Sequence, residues 1–501
     1  VIALNDLLAA AGLGTHPLAD GGDVHVASVV HDSREAAPGS LFVAISGLRE
    51  DGLAHARAAI TAGAVAVVAE RALDPAPPVP VIVVDNPRLA LSALADAIFD
   101  HPSRALTVAG VTGTDGKTTT STMLWAAWRA AGHHTGLLST VDFRDGDTVT
   151  ANTTRVTTMD AVESQRRLAE LRAGGCTHVV VETSSHALQM HRVDHVEYRL
   201  AVYTRITSEH LDVHGDRAGY LAAKARLLEL VSGRGDGVAV LDRDDDFAYG
   251  RLAAIPVATR LTYSMSGAPT ADLVATGVEP GPDGVRFTAH TPWGEVPVHL
   301  RLAGRFNAGN ALAAIAAACA SGASLEHAAA GVSGLERVDG RMERVDAGQP
   351  FAVVIDYAHT ADSLDKVLTE LRAATPGRLW VVFGSAGERD VGKRPAMGAV
   401  AARLADVVVV TDEDPRDEDR VAICEQIAAG AEAAGASRGD TLHVIPERRE
   451  AVEFAVAGAA AGDTVLFAGK GHESSIVAGG RSLPWNERAA VSEALRSRAA
   501  V

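Results

Sequence analysis

The run Gly110-Val111-Thr112-Gly113-Thr114-Asp115-Gly116-Lys117-Thr118-Thr119-Thr120 has the residue types of a phosphate cradle. It follows Leu106-Thr107-Val108-Ala109, which reads as a strand, and precedes Met123, Leu124 and Ala127 at helical spacing. A glycine-rich turn between strand and helix lets backbone N–H groups approach phosphate oxygens with no Cβ in the way. Lys117 would set a cation against the β- and γ-phosphates, and the Thr118 hydroxyl would reach a magnesium ion. Val111 stands where the strict motif has its first glycine. The preceding strand, the following helix and three consecutive threonines still favour a site for ATP and magnesium over an ordinary turn.

Two polar clusters follow. Val179-Val180-Val181 runs into Glu182-Thr183-Ser184-Ser185-His186, which puts a carboxylate at the C-terminal end of a strand, where open α/β sheets bind ligands. The segment 203–215 concentrates histidine and acidic residues, His210 and Asp212 among them. Magnesium takes oxygen ligands and tolerates an occasional imidazole, so Glu182 and His210 are candidate ligands.

Positioning these groups requires α/β layers. Short β-branched runs at 65–68, 81–84, 179–181, 407–410 and 465–467 read as buried strands, and stretches such as 159–173 and 220–230 have helical spacing. Their alternation favours mostly parallel sheets. Alternating residues and turns at 280–284 and 292–294 point to a hairpin-rich insert over 272–298, and the alanine-rich run 311–320 to a tightly packed helix. At 501 residues the chain exceeds one ordinary core. Breaks in texture at 101–104 and 339–349 divide it into three domains, 1–102, 103–337 and 338–501.

A net charge of −17 argues against nucleic acid or an anionic membrane as partner. Cys176, Cys319 and Cys424 share no metal-ligand spacing and read as reduced, buried thiols. With no long apolar span and no basic leader at Val1, the chain is expected to be cytoplasmic.

The ordered blocks resemble the Mur ligases of peptidoglycan synthesis, and within them the MurE branch. They comprise Asp32-Ser33-Arg34, the glycine loop, Thr157-Thr158, the blocks at 182–186 and 210–212, and Ala222-Ala223-Lys224. Gly304-Arg305-Phe306-Asn307 with Asn310, Gly340-Arg341-Met342-Glu343, 356–360, 392–395, Asp414-Pro415-Arg416 and 469–473 complete the series. The resemblance implies an N-terminal uridine-nucleotide module, a central ATPase and a C-terminal Rossmann-like domain. It implies an ATP-dependent amide-bond ligase that adds a diamino acid to UDP-N-acetylmuramoyl-L-alanyl-D-glutamate through an acyl-phosphate, working as a monomer. Sister ligases acting on another carboxylate, such as folylpolyglutamate synthetases, and a non-catalytic ATP-binding relative are the alternatives.

By the same resemblance, residues 113–119 (Gly113, Thr114, Asp115, Gly116, Lys117, Thr118 and Thr119), with Asn307 and Asn310, would hold ATP. Ser33, Leu48, Arg49, Glu50, Thr157, Thr158, Ser184 and Arg192 would hold the UDP-substrate. Lys224 matches a lysine that the family carbamylates, which would let it join Thr118, Glu182 and His210 around magnesium. Arg389, Glu413, Asp414, Pro415, Arg416, Gly469 and Glu473 would hold the added amino acid. Members that add meso-diaminopimelate have Asn where this chain has Asp414, and an extra carboxylate there favours an ammonium terminus, as in L-lysine or L-ornithine. Arg205 stands where the family usually has Asn, a change that could alter the geometry of the central domain.

Overall fold

A computed structural model describes residues 1–16, 24–47, 51–154, 156–207, 209, 211–281 and 283–499. Leu48, Arg49, Glu50 and His210 lie outside the described residues. The chain forms two compact units, 1–117 with 131–261 and 118–130 with 262–501.

The first unit contains a parallel sheet in the order Ser28–Val30, Ser40–Val43, Ala66–Ala69, Val81–Val83. Side chains alternate across a strand, so Leu41 and Val43 join one apolar cluster with the helices Leu4–Ala10 and Pro87–Ile98, while Phe42 joins another with Ala56–Thr61. Both faces are covered, which is why these strands read as continuous apolar runs.

The same unit holds a second series of strands in the order Thr148–Ala151, Asp142–Asp145, Thr135–Leu138, His178–Glu182, Thr107–Thr112, Tyr198–Tyr203, Val238–Asp242. The first two form an antiparallel hairpin, and from Thr135–Leu138 onward the pairs are parallel. From Thr107–Thr112 the chain moves out to Thr135–Leu138, returns beside its start as His178–Glu182, then crosses to Tyr198–Tyr203 on the other flank. At such a reversal, open α/β sheets bind ligands beyond the C-terminal ends of the strands.

In the second unit, Leu273–Gly281, Gly284–Thr291 and Gly294–Leu300 form the expected antiparallel hairpins. The alanine-rich segment is the helix Phe306–Ala320, buried over most of its surface. Nearby helices also approach closely: a Cβ at Gly331 would lie 2.5 Å from Ala126 O. A further sheet runs Glu343–Arg344, Ala352–Asp356, Thr464–Ala468, Leu379–Phe383, Val407–Val410, Leu442–Val444, parallel except for its first pair. Val408 and Val410 face one core and Val407 and Val409 the other. The three cysteines are free and buried. Among the described residues no helix is long and apolar enough to cross a membrane.

Candidate active site

Val111 sits inside the Thr107–Thr112 strand, paired with Glu182 on one side and Val202 on the other. The loop therefore begins only at Gly113, which accounts for the missing first glycine. Gly113 has φ 153° and Gly116 φ 83°. A Cβ on Gly113 would fall 1.8 Å from Thr204 Oγ1, so no other residue fits.

The segment after Tyr198–Tyr203 clamps this turn. Thr204 Oγ1 donates to Asp115 O at 2.6 Å, Thr114 N donates to Arg205 O at 2.8 Å, and Thr207 N donates to Thr114 Oγ1 at 2.9 Å. Lys117 opens the helix Lys117–Ala130, whose N-terminus is a ready anion site. Its Nζ donates to Thr114 O at 2.7 Å and Gly113 O at 3.2 Å, neutral acceptors that an anionic phosphate oxygen would outcompete.

Lys224, on the helix Arg217–Ser232, is 1% exposed and donates to Gly113 O at 2.6 Å. Burial, reinforced by the Lys117 ammonium, holds its amine well below the usual lysine range. Glu182 is equally buried at the end of the neighbouring strand, and its Oε2 accepts from Thr140 N at 2.9 Å.

Three of the expected substrate residues gather round Glu182. Thr158 Oγ1 donates to Glu182 O at 2.8 Å and accepts from Ser184 N at 2.9 Å, while Arg192 Nη1 donates to Thr158 O at 3.1 Å. Ser184 Oγ caps the helix Ser185–Gln189 by accepting from Ala187 N. Burial lowers the Arg192 pKa from the ordinary guanidinium range. Thr157 is half-buried beside Thr158, and Ser33 is half-buried in the turn Ser33–Glu35 next to the four-stranded sheet.

In the second unit, Thr118 Oγ1 accepts from Arg341 Nη2 at 3.2 Å, and Arg341 lies over the Tyr357 ring at 4.7 Å. Thr119 is buried on the same helix. Asn310 Nδ2 donates to Asn307 Oδ1, and Asn307 Nδ2 to Ala303 O, so these amides bond within and just ahead of their own helix.

A separate polar cluster forms where the strands Ala352–Asp356, Thr464–Ala468, Leu379–Phe383 and Val407–Val410 end. It contains Glu413, Asp414, Pro415, Arg416, Gly469 and Glu473, all buried or half-buried, with Arg389 exposed. Lys470, fully buried, pairs with Asp414 Oδ1 at 2.9 Å and also with Glu473, which accepts from Tyr357 OH at 3.2 Å.

Three family models match: "Mur ligase family, catalytic domain" over 25–98, "Mur ligase middle domain" over 111–318, and "Mur ligase, glutamate ligase domain" over 340–471. A UDP-N-acetylmuramyl-tripeptide synthetase of Roseiflexus sp. (strain RS-1) is 46% identical over 94% of both chains. The chain belongs to the Mur ligase family. A UDP-N-acetylmuramoyl-L-alanyl-D-glutamate–2,6-diaminopimelate ligase of Streptomyces coelicolor is 41% identical over 95% of this chain and 93% of its own. A solved structure of a ligase with that name superposes with TM-score 0.68 at 30% identity, covering 99% of both chains.

The structure gives partners to two residues that the sequence singled out in this Mur ligase. Asp414 is no spare carboxylate facing an incoming amine, because Lys470 and the Val477 N–H both bond its Oδ1. Lys470 is shared between Asp414 and Glu473, so the carboxylate expected to face the amine is tied into the protein's own ion-pair cluster. The Arg205 side chain turns to Asp244 O and Asp242, and its backbone carbonyl accepts from Thr114 N. Sequence reading also gave Arg341 and Lys470 no role. Their partners lie 223 and 56 residues away, and the only signal was their place in the matching blocks.

Proposed function

We propose that this Mur ligase, acting as a cytoplasmic monomer, transfers the γ-phosphate of ATP to the D-glutamyl side-chain carboxylate of UDP-N-acetylmuramoyl-L-alanyl-D-glutamate. It then joins the acyl-phosphate to meso-diaminopimelate. The main support is the convergence of the glycine loop, Lys117, Glu182 and buried Lys224 at one end of one sheet. The names of the relatives support the same substrates. The net charge of −17 supports small-molecule partners over nucleic acid or membrane. The proposed modules are 1–102 for the uridine nucleotide, 103–337 for ATP and 338–501 for the amino acid.

The substrate carboxylate oxygen attacks the γ-phosphorus and ADP leaves. The amine nitrogen then attacks the acyl carbon, phosphate departs, and the amine's proton passes to solvent. An anionic nucleophile approaching a triphosphate needs cations, and Lys117 supplies one. Oxygen donors suit magnesium, which would neutralise phosphate charge when bound. Thr118 offers a hydroxyl for one ion, and Glu182 with a carbamate on Lys224 offers carboxylates for another. An uncharged amine is the form that adds CO2, losing one proton, and desolvation favours that form of Lys224.

The added amino acid is chosen by two unmatched groups in one loop. Glu413 Oε2 and Arg416 Nε are buried with no hydrogen-bond partner among the described residues. An anionic and a cationic group together suit a side chain that ends in both ammonium and carboxylate, and Arg389 adds a second guanidinium. Diaminopimelate has such an end; lysine and ornithine have the ammonium alone. Phosphate release will therefore require the UDP-dipeptide and will be supported best by meso-diaminopimelate when each amine is supplied separately. Release indifferent to dipeptide and amine would defeat the reading, and a preference for lysine would defeat its last part.

Arg341 is expected to bind phosphate through the guanidinium that now rests on Thr118. Arg341→Ala should lower kcat/KM for ATP by about 10- to 100-fold, the loss of one charge-assisted hydrogen bond. Steady-state kinetics at varied ATP will check it.

A further inference from the structure

The N-terminal ends of the same strands, opposite Glu182, carry a second group of metal-ligand side chains. His134 precedes the strand Thr135–Leu138, Asp145 ends Asp142–Asp145, and Cys176 lies just before His178–Glu182. The sheet register brings them together, since Gly136 pairs with Asp145 on one side and Thr135 with His178 on the other. His134 Nε2 is 2.9 Å from Asp145 Oδ1, and Cys176 Sγ donates to the same oxygen at 3.3 Å. All three ligand atoms lie within 4.8 Å of one another. Glycines leave room around them: a Cβ on Gly174 would reach 2.6 Å from Asp145 Oδ2, and one on Gly146 would reach 3.0 Å from His134 Nε2.

We propose that His134, Asp145 and Cys176 bind a borderline-soft divalent cation, zinc first, at a site separate from the ligase chemistry. An imidazole nitrogen, a carboxylate oxygen and a thiolate are a zinc donor set, whereas the thiolate makes it a poor site for magnesium. Tetrahedral zinc spaces such donors by roughly 3.3–3.8 Å, so the triangle closes by side-chain adjustment alone. His134 is 41% exposed, which gives the ion an entrance and leaves the fourth position to water. Ligation by the thiolate releases the thiol proton to solvent, one per ion. Such an ion would tie the edge hairpin to the parallel strands, close in sequence to Thr140, whose N–H holds Glu182.

The test is a titration of the full-length, tag-free protein with cobalt(II) as a spectroscopic stand-in for zinc. One ion per chain is expected, with a thiolate-to-cobalt absorption in the near ultraviolet and tetrahedral bands in the visible that zinc abolishes. Cys176→Ser should erase the thiolate band, while Cys319→Ser and Cys424→Ser keep it. His134→Ala, at an exposed position that leaves the fold undisturbed, should weaken binding by about 100-fold, at least what an outer partner contributes to a metal site. Magnesium-dependent turnover of Cys176→Ser should stay at the wild-type level and certify its fold. Cobalt bound with no thiolate band, or a band that survives Cys176→Ser, would mean adventitious surface histidines and would overturn the proposal.

Discussion

Lys117→Ala should lower kcat by about 10³-fold or more, equivalent to about 4 kcal/mol of transition-state stabilisation, while leaving the protein folded. The two expectations have separate grounds. Structurally, the ammonium donates to Thr114 O and Gly113 O, but the turn is held independently by Thr204, the Arg205 carbonyl and the Thr207 N–H. Chemically, phosphoryl transfer to a carboxylate brings two anions together, and a neutral side chain at this position removes charge where it builds up most. Lys117→Arg should rescue little, because a planar fork cannot occupy the place of a compact ammonium at the mouth of this turn. Phosphate release and product formation in the steady state measure the effect, with circular dichroism as the folding check. Turnover within tenfold of wild type would remove the phosphate loop from the mechanism.

The glycine loop was legible because its geometry is local. Gly113 must be glycine on account of Thr204, yet the sequence cue was simply a strand, a glycine turn and a helix in succession. Glu182 was legible for a related reason, since a β-branched run ending in a carboxylate places that group at a strand's C-terminal end. The hairpin-rich insert and the alanine-rich helix were legible from turn chemistry and composition. What pairs across long separations was not. Asp414 read as an unmatched acid because Lys470, 56 residues on, reaches it only after the Thr464–Ala468 strand is threaded into the sheet. Cys176 read correctly as a free, buried thiol, but its neighbours His134 and Asp145 were not visible because they come from elsewhere in the sheet. The residue type of Arg205 is visible in a sequence, whereas the direction of its side chain, toward Asp244 O, is not.

The same long-range logic governs the largest stability effect expected. Arg448 and Glu487 are both fully buried and pair through two bonds, Nε to Oε2 at 2.9 Å and Nη2 to Oε1 at 2.7 Å. Arg448 also donates to Asp412 O and Ala468 O, each at 2.9 Å, and Trp485 Nε1 donates to Glu487 at 2.6 Å. Those two carbonyls lie where Val407–Val410 and Thr464–Ala468 hand over to the loops carrying Glu413, Arg416 and Gly469. One guanidinium thus bridges the two loops proposed to hold the amine. Glu487→Ala strands a buried cation and should cost about 3–5 kcal/mol. The double change Arg448→Met with Glu487→Leu removes both charges and should recover much of that loss. A chain of several units has no single unfolding midpoint, so hydrogen exchange in 405–420 and 464–490 is the better gauge, with a rise of about 10²- to 10³-fold expected for Glu487→Ala. The double variant separates stability from positioning. It loses the donors to Asp412 O and Ala468 O, so KM for the amine should rise several-fold even where exchange is nearly restored. A wild-type KM in a restored double variant would show that the pair holds the fold without shaping the pocket.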